Sequence, residues 1–214
     1  SFNASQAQRI FLAAHWDTRP MADKDPNPLN RNTPIAGAND GASGVAVLLE
    51  IARNLKKSPP DIGVDIILFD GEDFGEEGNL DEYFLGSRVF AKQAMNYKPR
   101  FGILLDMIGD SQLSIPIEGF SQEYLPHVVE KVWSMAESLG ETAFQRRMGS
   151  YINDDHKMLI EKGIPCIDLI DFAYPDESHR YWHTLEDTPD KCSPQSLGTV
   201  GRVLLNVIYN EKVD

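Results

Sequence analysis

Ile10-Phe11-Leu12-Ala13-Ala14 runs directly into His15-Trp16-Asp17. Successive side chains of a strand point to opposite faces, so five apolar residues in a row call for cover on both sides. A parallel sheet between helical layers supplies that cover. Similar runs return at Val64 to Phe69, Phe101 to Leu105 and Ile164 to Ile170. Helical periods lie between them. Val45, Leu48, Leu49, Ala52 and Leu55 share one stripe, preceded by Asn, Asp and Ser caps and ended by Lys56-Lys57-Ser58-Pro59-Pro60. Residues 121–139 predict one helix with a staggered apolar face. The last helix takes Ser193 as N-cap and Pro194 as its first residue, and turns Leu197, Val200, Val203, Leu204, Val207 and Ile208 inward. Strands alternating with helices predict an α/β fold.

The 214 residues carry 20 Lys and Arg against 33 Asp and Glu, a net charge of −13 with His neutral. Such a field repels a phosphate backbone, so nucleic acid is not an expected partner. No stretch approaches the roughly 20 apolar residues of a membrane-spanning helix, and no membrane span is expected. Without a linker, repeat or low-complexity tract, residues 1–214 read as a single domain. The polar, uncharged start Ser1-Phe2-Asn3-Ala4-Ser5-Gln6 is no signal peptide, and the first strand arrives by residue 9, which leaves room for a missing N-terminal segment. Two cysteines exclude a disulfide scaffold and a Cys-rich zinc site; Cys166, inside Ile164-Pro165-Cys166-Ile167, reads as a buried free thiol.

The residues just past each strand are chemically distinctive. The first strand ends in His15-Trp16-Asp17. A proline-rich loop over residues 19–39 then closes on Gly37-Ala38-Asn39-Asp40-Gly41-Ala42-Ser43-Gly44. The second strand ends in Asp70-Gly71-Glu72-Asp73 and the third in Asp106. A later loop carries Asn153-Asp154-Asp155-His156, and the last strand leads to Trp182-His183-Thr184. Ligands of open α/β sheets bind outside the carboxyl ends of the strands, so these groups are expected to converge. A lone carboxylate there is ordinarily a helix cap, and a lone His is ordinarily solvated or satisfied in the core. These strand ends and loops together concentrate repulsive charge, which a divalent cation relieves. Carboxylates with imidazole and no thiolate suit a catalytic zinc. His15 and Asp17 share one side of a strand, so Asp17 can orient the imidazole. Adjacent Glu72 and Asp73 point apart, so one can bind metal while the other faces substrate as a proton carrier. His127, His156 and His179 read as structural or solvated, and Glu76-Glu77 as a solvated loop.

At these residues the chain resembles zinc-dependent exopeptidases of the aminopeptidase type, and within them the bacterial glutaminyl cyclases. The resemblance is carried by Ala14 to Pro20, Gly37 to Gly44, Phe69 to Asp73, Leu85-Gly86-Ser87-Arg88, Leu104-Leu105-Asp106, Asp154-Asp155-His156 and Trp182-His183-Thr184. Trp182 next to His183 looks like a substrate-stacking tryptophan beside a zinc histidine. Glu72-Asp73 resembles the bacterial cyclase pair, where two-metal aminopeptidases usually show Glu-Glu. Two departures stand out: Tyr83 stands where bacterial cyclases have a second pocket tryptophan, and Ala14 and Val45 stand where the animal enzymes have a cysteine pair.

The resemblance implies a three-layer α-β-α domain with a mostly parallel mixed sheet. It implies one zinc held by Asp40, Asp73 and His183, with Glu72 as proton shuttle and Asp154 with Asp106 as an acid network beside it. Trp182 and Tyr83 would face the substrate, a peptide or protein with N-terminal glutamine that is closed to pyroglutamate with release of ammonia. The alternative is a zinc aminopeptidase in which His15 and Asp106 complete a two-metal site. A non-catalytic binding module on the same scaffold would be expected to have lost Asp40, Glu72 or His183. The resemblance suggests a periplasmic or secreted setting.

Overall fold

Every apolar run above becomes a strand, and each ends where the polar groups begin. A computed structural model describes residues 1–213. In chain order its main elements are β1 (Arg9–His15), α1 (Ala42–Lys57), β2 (Gly63–Phe69), α2 (Leu85–Gln93), β3 (Gly102–Asp106) and β4 (Ile115–Ile117), followed by α3 (Gly119–Tyr124), α4 (Pro126–Ser138), β5 (Phe144–Met148), α5 (Asp155–Ile160), β6 (Cys166–Ile170) and α6 (Pro194–Asn210). Four strands form one sheet in the order β2-β1-β3-β6, all parallel. Its antiparallel component is a bridge from Phe2 to Val64 on the β2 edge. β4 and β5 make a separate two-stranded parallel sheet.

Strand alternation divides the core into two layers. Ile10, Leu12 and Ala14 of β1 face one side, where they join Leu48, Ile51 and Leu55 of α1, Val128 and Val132 of α4, and Val203 and Leu204 of α6. Phe11 and Ala13 face the other side, with Ala91 of α2 and Leu159 beneath them. Each fully buried side chain of this size contributes about 1.5–3 kcal/mol relative to exposure, so the sandwich holds the sheet rigid. Gly102 is required under Phe11, because a Cβ there would fall on the phenyl ring. Cover is incomplete at the edge strand β2, where Leu68 is exposed.

Three expectations need correction. The inward apolar face of α1 is Val47, Leu48, Ile51 and Leu55, with Leu49 exposed and Gly41 at the N-cap without a side-chain bond. The helix predicted over residues 121–139 is two helices, α3 and α4, broken at Leu125 (φ −136°, ψ 48°). Pro126 has no N–H to continue the helix and disfavours helical geometry in the residue before it. The apolar positions on both sides hid the break. The last strand begins at Cys166, not Ile164, because Pro165 cannot donate to the ladder; its carbonyl accepts the Gly102 N–H at 2.7 Å instead. Cys166 is buried and free, and Cys192 is also free. Among the described residues, no helix is long and apolar enough to cross a membrane.

Candidate metal centre and active site

The carboxyl ends of β1, β2 and β3 deliver His15, the Glu72-Asp73 pair and Asp106 to one rim of the sheet. Each is fixed by local chemistry. Asp17, just past β1, accepts the backbone N–H groups of Glu72 and Asp73, both at 3.2 Å, and so shapes the turn after β2. Asp40 sits immediately before α1, where Asp187 accepts the N–H groups of Asn39 (2.8 Å) and Asp40 (3.2 Å). The Tyr174 hydroxyl donates to the same Asp187 carboxylate at 2.9 Å. Gly41 leaves room for the His15 ring, which a Cβ at that position would strike. His183 lies in the left-handed region (φ 54°), on a turn tied by Thr184 donating to the carbonyls of Arg180 and Tyr181.

Asp40 stands between the two histidines. One of its oxygens lies 3.2 Å from His15 Nε2 and the other 3.4 Å from His183 Nε2. His183 Nε2 is also 3.1 Å from Asp73 Oδ1, so Asp40, Asp73 and His183 meet within the span of one ion. All three are buried. His183 Nε2 and Asp73 Oδ2 have no hydrogen-bond partner despite this crowding. Buried polar groups are otherwise almost always paired, and two carboxylates around an unpaired ring nitrogen form a donor set that fits a zinc with an open position. His15, Asp40 and Asp106 form a neighbouring group, but there His15 Nε2 is already hydrogen-bonded to Asp106 Oδ1 at 3.1 Å. His15, Glu72 and Asp73 make a third group.

Crowded burial governs the protonation of the rim. Desolvation, then the charge of Asp73, pushes the Glu72 carboxyl well above its ordinary range. Desolvation, opposed in part by the His15 hydrogen bond, leaves Asp106 at about 6. Desolvation and the charge of Asp106 raise Asp154 to about 7. Burial would raise Asp40 as well, but the close imidazoles of His15 and His183 outweigh it and hold the carboxyl low. Burial lowers His183, yet Asp73 and Asp40 more than reverse this and bring it to about 9. A rim that takes up protons in this way is the environment a divalent cation would relieve.

A cavity of about 230 Å³ opens over the group, lined by Asp40, Glu72, Asp73, Tyr83, Trp182 and His183. Asp106 lies on its wall. Trp182 stacks on the His183 ring at 4.0 Å and meets Phe172 edge-on at 5.2 Å. Tyr83 is half-buried, with the Arg19 guanidinium 5.5 Å over its ring. Glu72 Oε2 lies 3.9 Å from His15 Nδ1, and Asp17 Oδ1 lies 3.7 Å from the same nitrogen. Asp154 caps α5 by accepting the Asp155 N–H at 2.5 Å; its other oxygen is unpartnered, so its link to Asp106 is one of charge rather than a hydrogen bond. Asp70 stays exposed outside the cleft.

His156 is buried, not solvated: Nε2 meets Glu118 at 3.1 Å and Nδ1 lies 3.8 Å from Asp168. Asp154, His156 and Asp168 form a fourth group able to hold an ion, away from the cleft lining. His179 Nδ1 bonds the Phe172 carbonyl at 2.7 Å, and His127 is exposed. Glu76 and Glu77 are exposed, as expected of a solvated loop.

Arg19 has a part the sequence reading did not assign. It is buried, donates to the Asp73 carbonyl at 2.7 Å and to the Gly75 carbonyl, and pairs with Asp23 at 2.6 Å. It therefore clamps the turn that carries Glu72 and Asp73. The available signal was an arginine inside a proline-rich loop next to a carboxylate-rich strand end. Asp187 gave none, because its backbone partners are distant in sequence, and Glu118 could be read at most as a helix cap, its bonds to Ile152 and His156 being distant.

The model of peptidase family M28 matches residues 1–208. The chain is 24% identical over 236 residues to the glutaminyl-peptide cyclotransferase of Bos taurus, covering 95% of this chain and 63% of that protein. It thus spans just under two thirds of the length of the curated cyclotransferases it matches. The glutaminyl cyclase of Bacteroides thetaiotaomicron bound to N-acetylhistamine superimposes with a TM-score of 0.94 at 40% identity, over 99% of this chain and 76% of that one. The Tannerella forsythia glutaminyl cyclase gives 0.93 at 43% identity, over 99% and 76%.

Proposed function

This chain belongs to peptidase family M28, and from that premise we propose that it is a zinc-dependent glutaminyl cyclase, converting N-terminal glutamine of peptides to pyroglutamate with release of ammonia. The observation that carries the reading is the contrast between the two histidines. His183 Nε2 is unpaired between Asp40 and Asp73, whereas His15 Nε2 is already bonded to Asp106. That contrast favours one metal held by Asp40, Asp73 and His183 over a two-metal peptidase centre. The kinship with glutaminyl cyclases of 40% and 43% identity supports the same choice.

Zinc bound there would act as a Lewis acid on the side-chain amide of the substrate glutamine. The protein's own part is proton handling and orientation. Glu72, in the cleft wall and raised by burial, takes a proton from the substrate's α-amine as its nitrogen bonds to the amide carbon. It then gives a proton to the nitrogen that leaves as ammonia when the carbon–nitrogen bond breaks. The Asp17 and Arg19 contacts hold Glu72 beside Asp73, so proton carrier and metal ligand keep a fixed spacing. The charges of Asp73 and Asp154 help Glu72 hold the proton it has taken up until the leaving nitrogen accepts it. Trp182, fixed by His183 and Phe172, offers an apolar wall to the glutamine stem, and Tyr83 lines the same cleft.

Incubation with Gln-Ala and Leu-Ala tests the proposal. Ammonia and a pyroglutamyl product from the first, with the second left intact, are the expected results. Free leucine from Leu-Ala, without ammonia from Gln-Ala, would establish the aminopeptidase instead.

A further inference from the structure

A second cavity of about 350 Å³ adjoins the active-site cleft, and Ile152, Ile170 and Phe172 line both. Beyond that apolar wall the second cavity turns polar, with Asp171 and Arg147 in its lining. Asp171 is buried; its Oδ2 accepts the Ser114 N–H at 2.7 Å, while Oδ1 has no partner. Arg147 is exposed and makes no ion pair among the described residues. Its neighbour on β5, Arg146, is held by Glu130 and Glu137, and alternation along the strand turns Arg147 away from them. An exposed guanidinium without an ion pair, in the lining of a cavity, suits the carbonyl or carboxylate oxygens of a peptide.

We propose that the second cavity is a subsite for the substrate chain beyond its second residue, with the Arg147 guanidinium donating to a backbone carbonyl or terminal carboxylate there. The inference rests on the glutaminyl cyclase reading. In that reading the α-amine and side-chain amide face Glu72 and the metal ligands, so the chain must leave the cleft from the α-carbonyl of the glutamine. The shared wall leads toward the second cavity, and each extended residue adds about 3.3–3.6 Å of reach. Substrates of three or more residues would gain contacts that a dipeptide cannot make.

Steady-state kinetics on Gln-Ala and Gln-Ala-Ala-Ala, the latter also as its C-terminal amide, test this in the native chain, Arg147→Ala and Arg147→Glu. A hydrogen bond to a charged group predicts a KM about tenfold lower for the tetrapeptide than for the dipeptide, with kcat unchanged. Both variants should raise the tetrapeptide KM to the dipeptide value and leave Gln-Ala turnover as it was. Loss of the advantage on amidation would assign the contact to the terminal carboxylate, and its persistence to a backbone carbonyl. Equal KM values for the two peptides in the native chain would overturn the subsite, as would variants that slow both peptides alike. Ammonia from Gln-Ala would still stand for the cyclase reading in either case. Silence on every peptide would remove that reading, and the subsite with it.

Discussion

Asp40 offers one carboxylate oxygen to the Nε2 of each of two histidines, and of those two nitrogens only that of His183 has no hydrogen bond. In the proposed reaction Glu72, outside this group, is the acid-base residue. General acid–base help is worth about 10²–10⁴ in rate, so Glu72→Gln should lower kcat on Gln-Ala by about that factor while zinc content stays the same. Near-normal turnover would remove Glu72 from the mechanism. Asp171 supplies a separate prediction about stability. Burial pushes its carboxyl up to about 7, so in the folded state it holds its proton over a range where the unfolded chain has already released one. Its effect on stability is therefore most favourable below about pH 4, declines as pH rises toward 7, and has a slope of at most about 1.4 kcal/mol per pH unit. Urea unfolding of Asp171→Asn, in which Asn can still accept from Ser114, should show a shallower decline over that window. Parallel curves for the two proteins would contradict it.

At the scale of elements, the rim depends on supports that come from far along the chain. Glu118 is the N-cap of α3, accepting the N–H groups of Phe120 (2.9 Å) and Ser121 (2.7 Å), and it also takes the Ile152 N–H at 3.1 Å and meets His156. It therefore ties α3 to the segment leading into α5. Glu118→Ala would leave these buried groups uncompensated, and should cost about 3 kcal/mol of stability in a denaturant titration. A loss within about 0.5 kcal/mol would show that the helix holds without its cap. The strands and most of the rim were legible in sequence because they are local: an apolar run followed at once by His, Asp or Glu marks both strand and site. The break at Leu125-Pro126 was not, since the apolar spacing continues across it. Arg19 and Glu118 were opaque for another reason. Their importance lies in partners such as Asp73 and His156, more than thirty residues away, and no local pattern encodes that pairing.

The whole molecule concentrates anionic groups at one edge of a rigid parallel sheet, within a chain of net charge −13. A cation bound only by the folded state stabilises it, and more so where it relieves repulsion. Chelation should therefore abolish turnover and lower the thermal midpoint, and added zinc should restore both. A midpoint indifferent to chelator and zinc would mean that the rim is stable without an ion. The most direct measurement is anomalous diffraction at the zinc edge from crystals of the zinc-loaded protein. The account predicts one peak, within bonding distance of Asp40, Asp73 and His183. A peak centred instead on His15 and Asp106, or on Asp154, His156 and Asp168, would contradict it.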